Sequence, residues 1–297
     1  MGKLSFGLDL GQDTLKMYFA YPHDEYNFEL GESEWGATCK HSVKSGIVLL
    51  DGMEAYPAVA FYDSGKDSWV FGESALNGAC NSQKPIVGIK EILKNCDKPS
   101  VFSGKHFVNS SCGYEFNAKT DTQEMLVQKF LTFVLNDLKE AYMRSIGFLA
   151  QDDVSVSKEV EFTFPSTASD NYKITLKKMI EETGHTVKAV AEPTAAAICC
   201  LSEDVKLGNL TMVVDIGEDI SSVGLFSPQT GLSQSSDMRK VETISIGGND
   251  FDNELIKYIE AHCGREEELT NYQQFMLRQD AKSAKEYLCS GAALATI

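Results

Sequence analysis

Two short turns, each with an aspartate and a glycine, are the part of this chain whose residue types and spacing could do chemistry. The first turn lies at residues 9–13 (DLGQD), and the second lies 206 residues further on, at residues 215–219 (DIGED). In such turns backbone N–H groups can point at phosphate oxygens, and glycine lets the chain approach them closely. Two aspartates can also hold a hydrated Mg²⁺. The repeat predicts a paired site for a polyphosphate and Mg²⁺, although one copy alone would indicate an ordinary hairpin.

Apolar residues precede and follow each turn, and this pattern predicts two β-hairpins, at residues 4–19 and 211–226, whose tips face one cleft. Strands and helices alternate along the rest of the chain, so the predicted class is α/β. The other predicted strands lie at residues 46–62, 160–164, 186–190 and 241–246, and the predicted helices lie at residues 71–79, 121–144, 169–183, 191–200, 247–262 and 274–289.

The helix predicted at residues 247–262 is amphipathic. Its apolar residues recur at helical spacing, which is typical of one face packed against a core. The residues expected to face inward are Phe251, Leu255, Ile256 and Ile259.

Composition and charge restrict the class of partner. The chain has 297 residues and a formal net charge of −16, which argues against nucleic-acid and anionic-membrane partners because both attract basic surfaces. None of the eight cysteines forms a C-x-x-C pair, so we expect reduced thiols and a cytoplasmic protein. No signal peptide is expected at the start, and the most apolar run, residues 125–135, is too short to span a bilayer.

Further motifs occur in a fixed order with the two turns. They are FPSTASDNYKITLKKMIEETGHTVKAV before EPTAAA (residues 192–197), GGNDFDN (residues 247–253) and LRQDAKSAKEYLCS (residues 277–290). Together they resemble the nucleotide-binding domain of the seventy-kilodalton heat-shock chaperone family (the DnaK type), over nearly the whole chain. The resemblance implies the two-lobed actin-like ATPase fold, which is ribonuclease H-like. It also implies a first lobe at residues 1–204, a partial second lobe at residues 205–297, and a chain that stops before the family's substrate-binding domain.

The resemblance implies that ATP or ADP binds with Mg²⁺ between the lobes and that water attacks the γ-phosphate. Asp9 and Asp215 match the aspartates around the metal, which they hold through water. Lys90 matches a lysine near the γ-phosphate, although alone it would be an ordinary solvated lysine. Glu192 matches the glutamate of the E-P-T motif, which helps to order metal-bound water; an acidic residue in the first turn of a helix is also favoured by the helix dipole. We expect Lys90 and Glu192 to point into the same cleft.

Several positions that the resemblance implies for nucleotide binding depart from the family pattern. Glu218 and Asp219 replace glycines, Ser222 replaces a second catalytic aspartate, and Lys282 replaces an acid. An extra carboxylate about 4 Å from a phosphate charge costs on the order of 4 kcal/mol at an effective dielectric near 20, and losing one transition-state group costs ~10²–10³ in rate. ATP hydrolysis is therefore expected to be weak or lost. The implied nucleotide-binding residues are Gly11, Gln12, Asp13, Gly217, Glu218, Gly247, Gly248, Lys282, Lys285 and Cys289.

Three functions remain open from the sequence. The first is an ATP-binding chaperone-type domain, whose partners would be the nucleotide and, through further C-terminal parts, co-chaperones or unfolded clients. The second is a non-enzymatic interaction module with a degenerate nucleotide site. The third is a sugar kinase or a filament-forming actin relative, which shares the superfold, but EPTAAA and GG-x-DFDN argue against it.

Overall fold

A computed structural model of the chain describes residues 4–22, 43–63, 65–78, 85–94, 107–109, 114–116, 123–136, 141–142, 156–202, 210–226, 238–263 and 268–291. The strands within these residues are β1 (Leu4–Leu10), β2 (Thr14–Pro22), β3 (Val43–Val48), β4 (Tyr56–Pro57), β5 (Ala60–Asp63), β6 (Ser68–Phe71), β7 (Phe107–Asn109), β8 (Tyr114–Phe116), β9 (Val156–Phe164), β10 (Thr186–Ala191), β11 (Thr211–Ile216), β12 (Ser221–Phe226) and β13 (Met238–Ile244). The helices are α1 (Glu73–Gly78), α2 (Ile89–Lys94), α3 (Gln123–Leu135), α4 (Asp170–Glu182), α5 (Glu192–Ser202), α6 (Gly248–His262) and α7 (Asn271–Cys289).

The larger sheet has six strands in the order β10-β9-β1-β2-β3, with β4 paired to β2. Strand β1 is antiparallel to β2 and parallel to β9, and β9 is parallel to β10. The parallel pair β9 and β10 is connected through α4, as parallel strands require a crossover. Alternate residues of β1 are buried (Leu4, Phe6, Leu8 and Leu10), so the apolar pattern of the sequence places one face of this strand in the core.

Helices α2, α3 and α4 pack together over the core of the larger sheet. Helix α4 begins after Ser169, whose Oγ accepts a hydrogen bond from the N–H of Tyr172 at 3.1 Å. It ends before Gly184, whose φ of +88° is readily adopted only by glycine. Of the helix predicted at residues 121–144, the structure places α3 at Gln123–Leu135, and residues 121–122, 137–140 and 143–144 lie outside the described residues.

The smaller sheet has three antiparallel strands in the order β11-β12-β13. Helix α5 packs against one face of it, where Gly224 leaves room for Pro193. Side chains on the other face of β11 are exposed, namely Met212, Val214 and Ile216. Among the described residues no helix is both long and apolar enough to cross a membrane.

The prediction for the inward face of α6 is wrong at Phe251. This side chain is 64% exposed, whereas the neighbouring Asp252 is only 1% exposed. The Nζ of Lys285 on α7 lies 2.6 Å from Oδ1 of Asp252, so the buried charge has a partner. One residue corresponds to a rotation of about 100° around a helix, and pairing the charge inward therefore turns Phe251 away. The other residues of the predicted face, Leu255, Ile256 and Ile259, are partly buried.

Helix α7 connects the two parts of the molecule, namely the larger sheet with the elements around β5 and α1, and the smaller sheet with α6. Its Phe275 is buried in a small apolar cluster with four residues from the first half of the chain: Val59, Phe61, Ala75 and Val87. Helix α7 also packs along α6. Phe275 therefore anchors the helices of the smaller sheet to the region around β5 and α1.

Candidate functional site

The two predicted hairpins are confirmed, and their turns have the same geometry. The N–H of Gly11 donates to the carbonyl of Thr14 at 2.8 Å, and the N–H of Gly217 donates to the carbonyl of Ile220 at 3.1 Å. A Cβ would lie 2.9 Å from the Thr14 oxygen in the first turn and 2.8 Å from the Ile220 oxygen in the second. Because both contacts would be closer than real Cβ contacts, glycine is required at both positions for these tight turns.

The tips of the hairpins face each other and are in contact. The backbone N–H of Asp13 in the first turn donates to Oε2 of Glu218 in the second at 3.0 Å. Nζ of Lys282 on α7 donates to Oδ2 of Asp13 at 2.8 Å and to Oε1 of Glu218 at 2.5 Å. We call Asp13, Glu218 and Lys282 the tip cluster. It joins both predicted turns to the predicted nucleotide-side helix.

The pKa values of all three side chains of the tip cluster are shifted from their ordinary values. Burial, assisted by the hydrogen bond and charge of Asp13, raises the pKa of Glu218 to about 7 despite the opposing charge of Lys282. Burial also acts to raise the pKa of Asp13, but its hydrogen bond with Glu218 and the Lys282 charge outweigh that effect, and the pKa is lowered. Burial opposes the charge of Lys282, yet the two carboxylates raise its pKa. The cluster thus holds two acids around one ammonium group.

A second group of charges lies behind the tips and consists of Asp9, Glu192, Asp215 and Lys90, which we call the carboxylate cluster. Nζ of Lys90 donates to Oε1 of Glu192 at 2.7 Å, and Oγ1 of Thr163 donates to Oδ1 of Asp9 at 2.7 Å. Burial raises the pKa of Glu192, with the charge of Lys90 opposing and the charges of Asp9 and Asp215 adding to the rise. Burial and the charge of Asp9 likewise raise the pKa of Asp215. The four predicted catalytic residues therefore lie close enough to influence one another.

The carboxylate cluster fits a hydrated Mg²⁺. Its donors are oxygens, which Mg²⁺ prefers, and this ion commonly keeps several waters while taking one or two carboxylates. In the described part of the chain, no group of three His, Cys, Asp or Glu residues is placed to hold a metal ion directly. Asp9 and Asp215 would accordingly hold the ion through its waters. At the tip cluster a phosphate would compete with Glu218, because Glu218 already accepts the hydrogen bond of Asp13 N–H.

The predicted glycines Gly247 and Gly248 lie against the second turn, at the start of α6. The N–H of Gly248 donates to the carbonyl of Gly217 at 3.0 Å, and the N–H of Asn249 donates to that of Glu218 at 2.9 Å. A Cβ on Gly247 would lie 2.2 Å from the Glu218 carbonyl oxygen. The first N–H groups of α6, which an isolated helix leaves without partners, therefore bind the backbone of the turn.

Replacing Gly247 by alanine should destabilise the protein by about 1–3 kcal/mol, the usual cost of forcing an extra methyl group into a packed site. The methyl group would meet backbone atoms of Glu218, which cannot rotate away as a side chain could. The measurement is urea unfolding. The matched control is Gly7→Ala, because a Cβ at Gly7 has no atom within 4 Å. Equal losses in the two variants would contradict the proposed packing.

Of the remaining predicted residues, Gln12 and Lys285 lie near the hairpin tips or the start of α6, and Cys289 does not. Gln12 is buried and lines a polar cavity of about 180 Å³ together with Asp13, Asp250 and Arg278. Lys285 reaches the start of α6, where its Nζ donates to the carbonyl of Gly248 at 3.3 Å. Cys289, at the end of α7, is exposed, and no described contact brings it to the tips.

Sequence reasoning missed Thr163, Asp252 and Arg278. Arg278 donates to Oδ1 of Asn253 at 3.2 Å and to Oδ1 of Asn249 at 3.4 Å. Together with Phe275, Lys282 and Lys285, it forms one stripe of α7 at spacings of three or four residues. That spacing was available in the sequence and could have shown that these charges share a face.

Replacing Lys90 by alanine should lower the free energy of unfolding by about 1–3 kcal/mol. The side chains of Lys90 and Glu192 are 12% and 23% exposed, so the cost should fall between that of breaking a buried pair and that of an exposed one. The measurement is urea unfolding with Lys177→Ala as the control, since the Lys177–Glu181 pair is exposed on α4. A loss no larger than in the control would show that Lys90 is an ordinary surface lysine.

Comparison with known families supports the same architecture. A sequence model of the family described as MreB/Mbl protein matches residues 134–265, which is less than half of the chain. The matched stretch contains β9, α4, β10 and α5, the second hairpin, β13 and all of α6. MreB/Mbl proteins are actin-like ATPases. The fold of the chain is therefore that of the actin-like ATPase superfamily, as predicted.

Proposed function

Because the chain has the actin-like ATPase fold, we propose that it binds ATP or ADP with Mg²⁺ between its two hairpin tips. The observation that carries this proposal is the convergence of Asp9, Glu192, Asp215 and Lys90 in one cluster behind the tips. These residues come from β1, α5, β11 and α2, so the convergence depends on both hairpins and both parts of the chain.

Each member of the carboxylate cluster has a role that its contacts support. Asp9 and Asp215 would hold the waters of the metal ion, and the bound ion would neutralise phosphate charge. Glu192 would accept a hydrogen bond from one of those waters. Lys90 is directed at Glu192 and orients it, and from there its ammonium group could reach a terminal phosphate.

We further propose that the nucleotide domain is of the heat-shock chaperone type. The motifs EPTAAA and GGNDFDN support this finer assignment, whereas the match to MreB/Mbl supports the superfamily alone. Co-chaperones and unfolded clients are the partners that would follow from it. The competing assignment is an actin relative of another kind, and the match to the MreB/Mbl family favours it.

Hydrolysis should be very slow or absent. Ser222 is buried and lies directly opposite Asp215 in the β11–β12 ladder. The resemblance to the chaperone family implies that this position carries a second carboxylate beside the metal in that family. A hydroxyl cannot supply that negative charge, and the loss of one positioned transition-state group typically costs ~10²–10³ in rate. Single-turnover hydrolysis with excess protein measures the rate. Ser222→Asp should increase any residual rate.

The test of binding is the thermal midpoint with and without Mg²⁺ and ATP. Ligand at about 100 times its dissociation constant adds about 2.7 kcal/mol of stability, which for a chain of this size raises the midpoint by about 4 °C. Asp215→Asn should abolish the rise, while Asp170→Asn, at an exposed helix start, should not. An unchanged midpoint at millimolar ATP would refute nucleotide binding.

A non-enzymatic interaction module is the second candidate. The observation that favours it is that Glu218 occupies the hydrogen-bond donor of the first turn, so the fold could be retained without a ligand. The exposed apolar side chains of β11 would in that case form part of a contact surface. The two candidates differ in the thermal midpoint experiment, because the second predicts no response to ATP.

A further inference from the structure

Glu218 presents an anion to the first turn from within the chain. The backbone N–H of Asp13 points at the second turn and donates to Oε2 of Glu218 at 3.0 Å. A carboxylate and a phosphate offer such a donor the same kind of acceptor, a negatively charged oxygen. A phosphate that used this N–H would first have to displace Glu218.

Lys282 holds the carboxylate in that position. Its Nζ contacts Oε1 of Glu218 at 2.5 Å and Oδ2 of Asp13 at 2.8 Å, so one ammonium group balances acids from both turns. The three side chains are only 21–25% exposed. A ligand that uses the Asp13 N–H therefore competes with the Glu218 carboxylate, which Lys282 holds in place.

Rigid elements place both partners of this contact. The carbonyl of Glu218 accepts a hydrogen bond from Asn249 N–H at the start of α6. Lys282 lies two turns after Phe275 on α7, and Phe275 is buried against the opposite part of the molecule. The contact between Glu218 and Lys282 is thus fixed by packing on both sides and is not a chance meeting of two flexible surface side chains.

We propose that Glu218 and Lys282 form an autoinhibitory latch, in which the Glu218 carboxylate fills the phosphate position of the nucleotide site until a nucleotide displaces it. This inference rests on the proposed function, since it concerns regulation of that same site. The ligand class it opposes is a nucleoside di- or triphosphate, and adenosine, which has no phosphate, is not opposed. Burial raises the pKa of Glu218 to about 7, so above that pH its ionised carboxylate is held there at a free-energy cost, as suits a group that a ligand can displace.

The latch is tested by titrating the whole chain with Mg²⁺-ATP, Mg²⁺-ADP and adenosine in a calorimeter. Glu218→Ala should tighten the binding of ATP and ADP by about tenfold or more, because the charge-assisted bond to Asp13 N–H no longer competes. Adenosine affinity should not change. Glu218→Gln keeps the size of the side chain and removes its charge, and it should also tighten the binding of ATP and ADP. Circular dichroism verifies that each variant is folded.

Asp219→Ala is the matched control for charge. It removes one carboxylate from the adjacent position of the same turn, where Oδ1 of Asp219 accepts a hydrogen bond from Nδ2 of Asn249 at 2.6 Å. The latch predicts a gain of less than about threefold in ATP affinity for this control. Equal gains in Glu218→Ala and Asp219→Ala would overturn the latch in favour of general repulsion.

The other outcomes separate the latch from the proposed function. If the wild-type chain binds ATP and Glu218→Ala binds it no more tightly, the latch is overturned and nucleotide binding stands. If adenosine binding tightens as much as ATP binding, Glu218 does not act at a phosphate position, and the latch is again overturned. If neither the wild type nor the variants bind ATP at millimolar concentration, both the latch and the proposed function are overturned.

Discussion

Replacing Phe275 by alanine should lower the free energy of unfolding by about 3–5 kcal/mol, the range for truncating a buried phenylalanine. The side chain is 4% exposed and lies among Val59, Phe61 and Val87. Its removal leaves a cavity at the place where α7 meets the other part of the molecule. The same loss should also weaken the tip cluster, because Lys282 is positioned by the same helix.

Urea unfolding followed by two probes tests this expectation. Both tryptophans, Trp35 and Trp69, precede residue 204, so tryptophan fluorescence reports on the first part of the chain and far-ultraviolet circular dichroism reports on all of it. The two transitions should coincide in the wild type and separate in Phe275→Ala. Met276→Ala, at the adjacent and partly exposed position, should cost less than about 1 kcal/mol. Coincident transitions with a small loss would show that Phe275 does not connect the two parts.

The features predicted correctly from the sequence depend on local rules. A glycine turn between alternating apolar residues determines both the hairpin and its register, so the position of Asp9 and Asp215 just before the tips followed from a few residues. The bounds of α4, predicted at residues 169–183, were equally local. The α/β class followed from the order of such elements.

The features that the sequence did not predict depend on contacts between distant residues. Lys282 contacts Asp13, which is 269 residues away, and Glu218, which is 64 residues away. Its position is determined by where α7 lies, and that depends on the burial of Phe275. Phe251 shows the same limit: hydrophobicity alone predicted it inside, but the pairing of Asp252 with a lysine of another helix determined the buried face.

Replacing Glu218 by glutamine should remove about 3 kcal/mol of pH dependence from the free energy of unfolding between pH 5 and pH 8. The pKa of this carboxyl is raised to about 7 by burial and by Asp13, whereas the ordinary value is 4.5. Between these values the native state retains a proton that the unfolded state has lost. The stability contributed by Glu218 is therefore full below pH 4.5 and is lost as the pH rises through about 7.

Other groups with shifted pKa values also contribute to the pH dependence of stability, and the comparison of the variant with the wild type cancels their contributions. Burial raises the pKa of Glu192 and of Asp215, so both act with the same sign as Glu218. Burial lowers the pKa of His185, whose contribution has the opposite sign. The pKa of Asp13 is lowered from 3.8, so its own contribution is lost only at more acidic pH. All four remain in the variant. Among them only Asp13 has a pKa that depends on Glu218, and Asp13 titrates at more acidic pH than this interval.

The measurement is urea unfolding at pH 5, 6, 7 and 8 for the wild type, Glu218→Gln and Glu254→Gln. Glu254 is a matched control because it also pairs with a lysine, Lys257 at 2.7 Å, but on the exposed surface of α6. The stability of Glu218→Gln relative to the wild type should increase steadily with pH, because glutamine avoids the cost of ionising a buried carboxyl beside Asp13. The Glu254→Gln profile should stay parallel to the wild type. A parallel profile for Glu218→Gln as well would show that Glu218 titrates like a surface acid and that the hairpin tips do not enclose it.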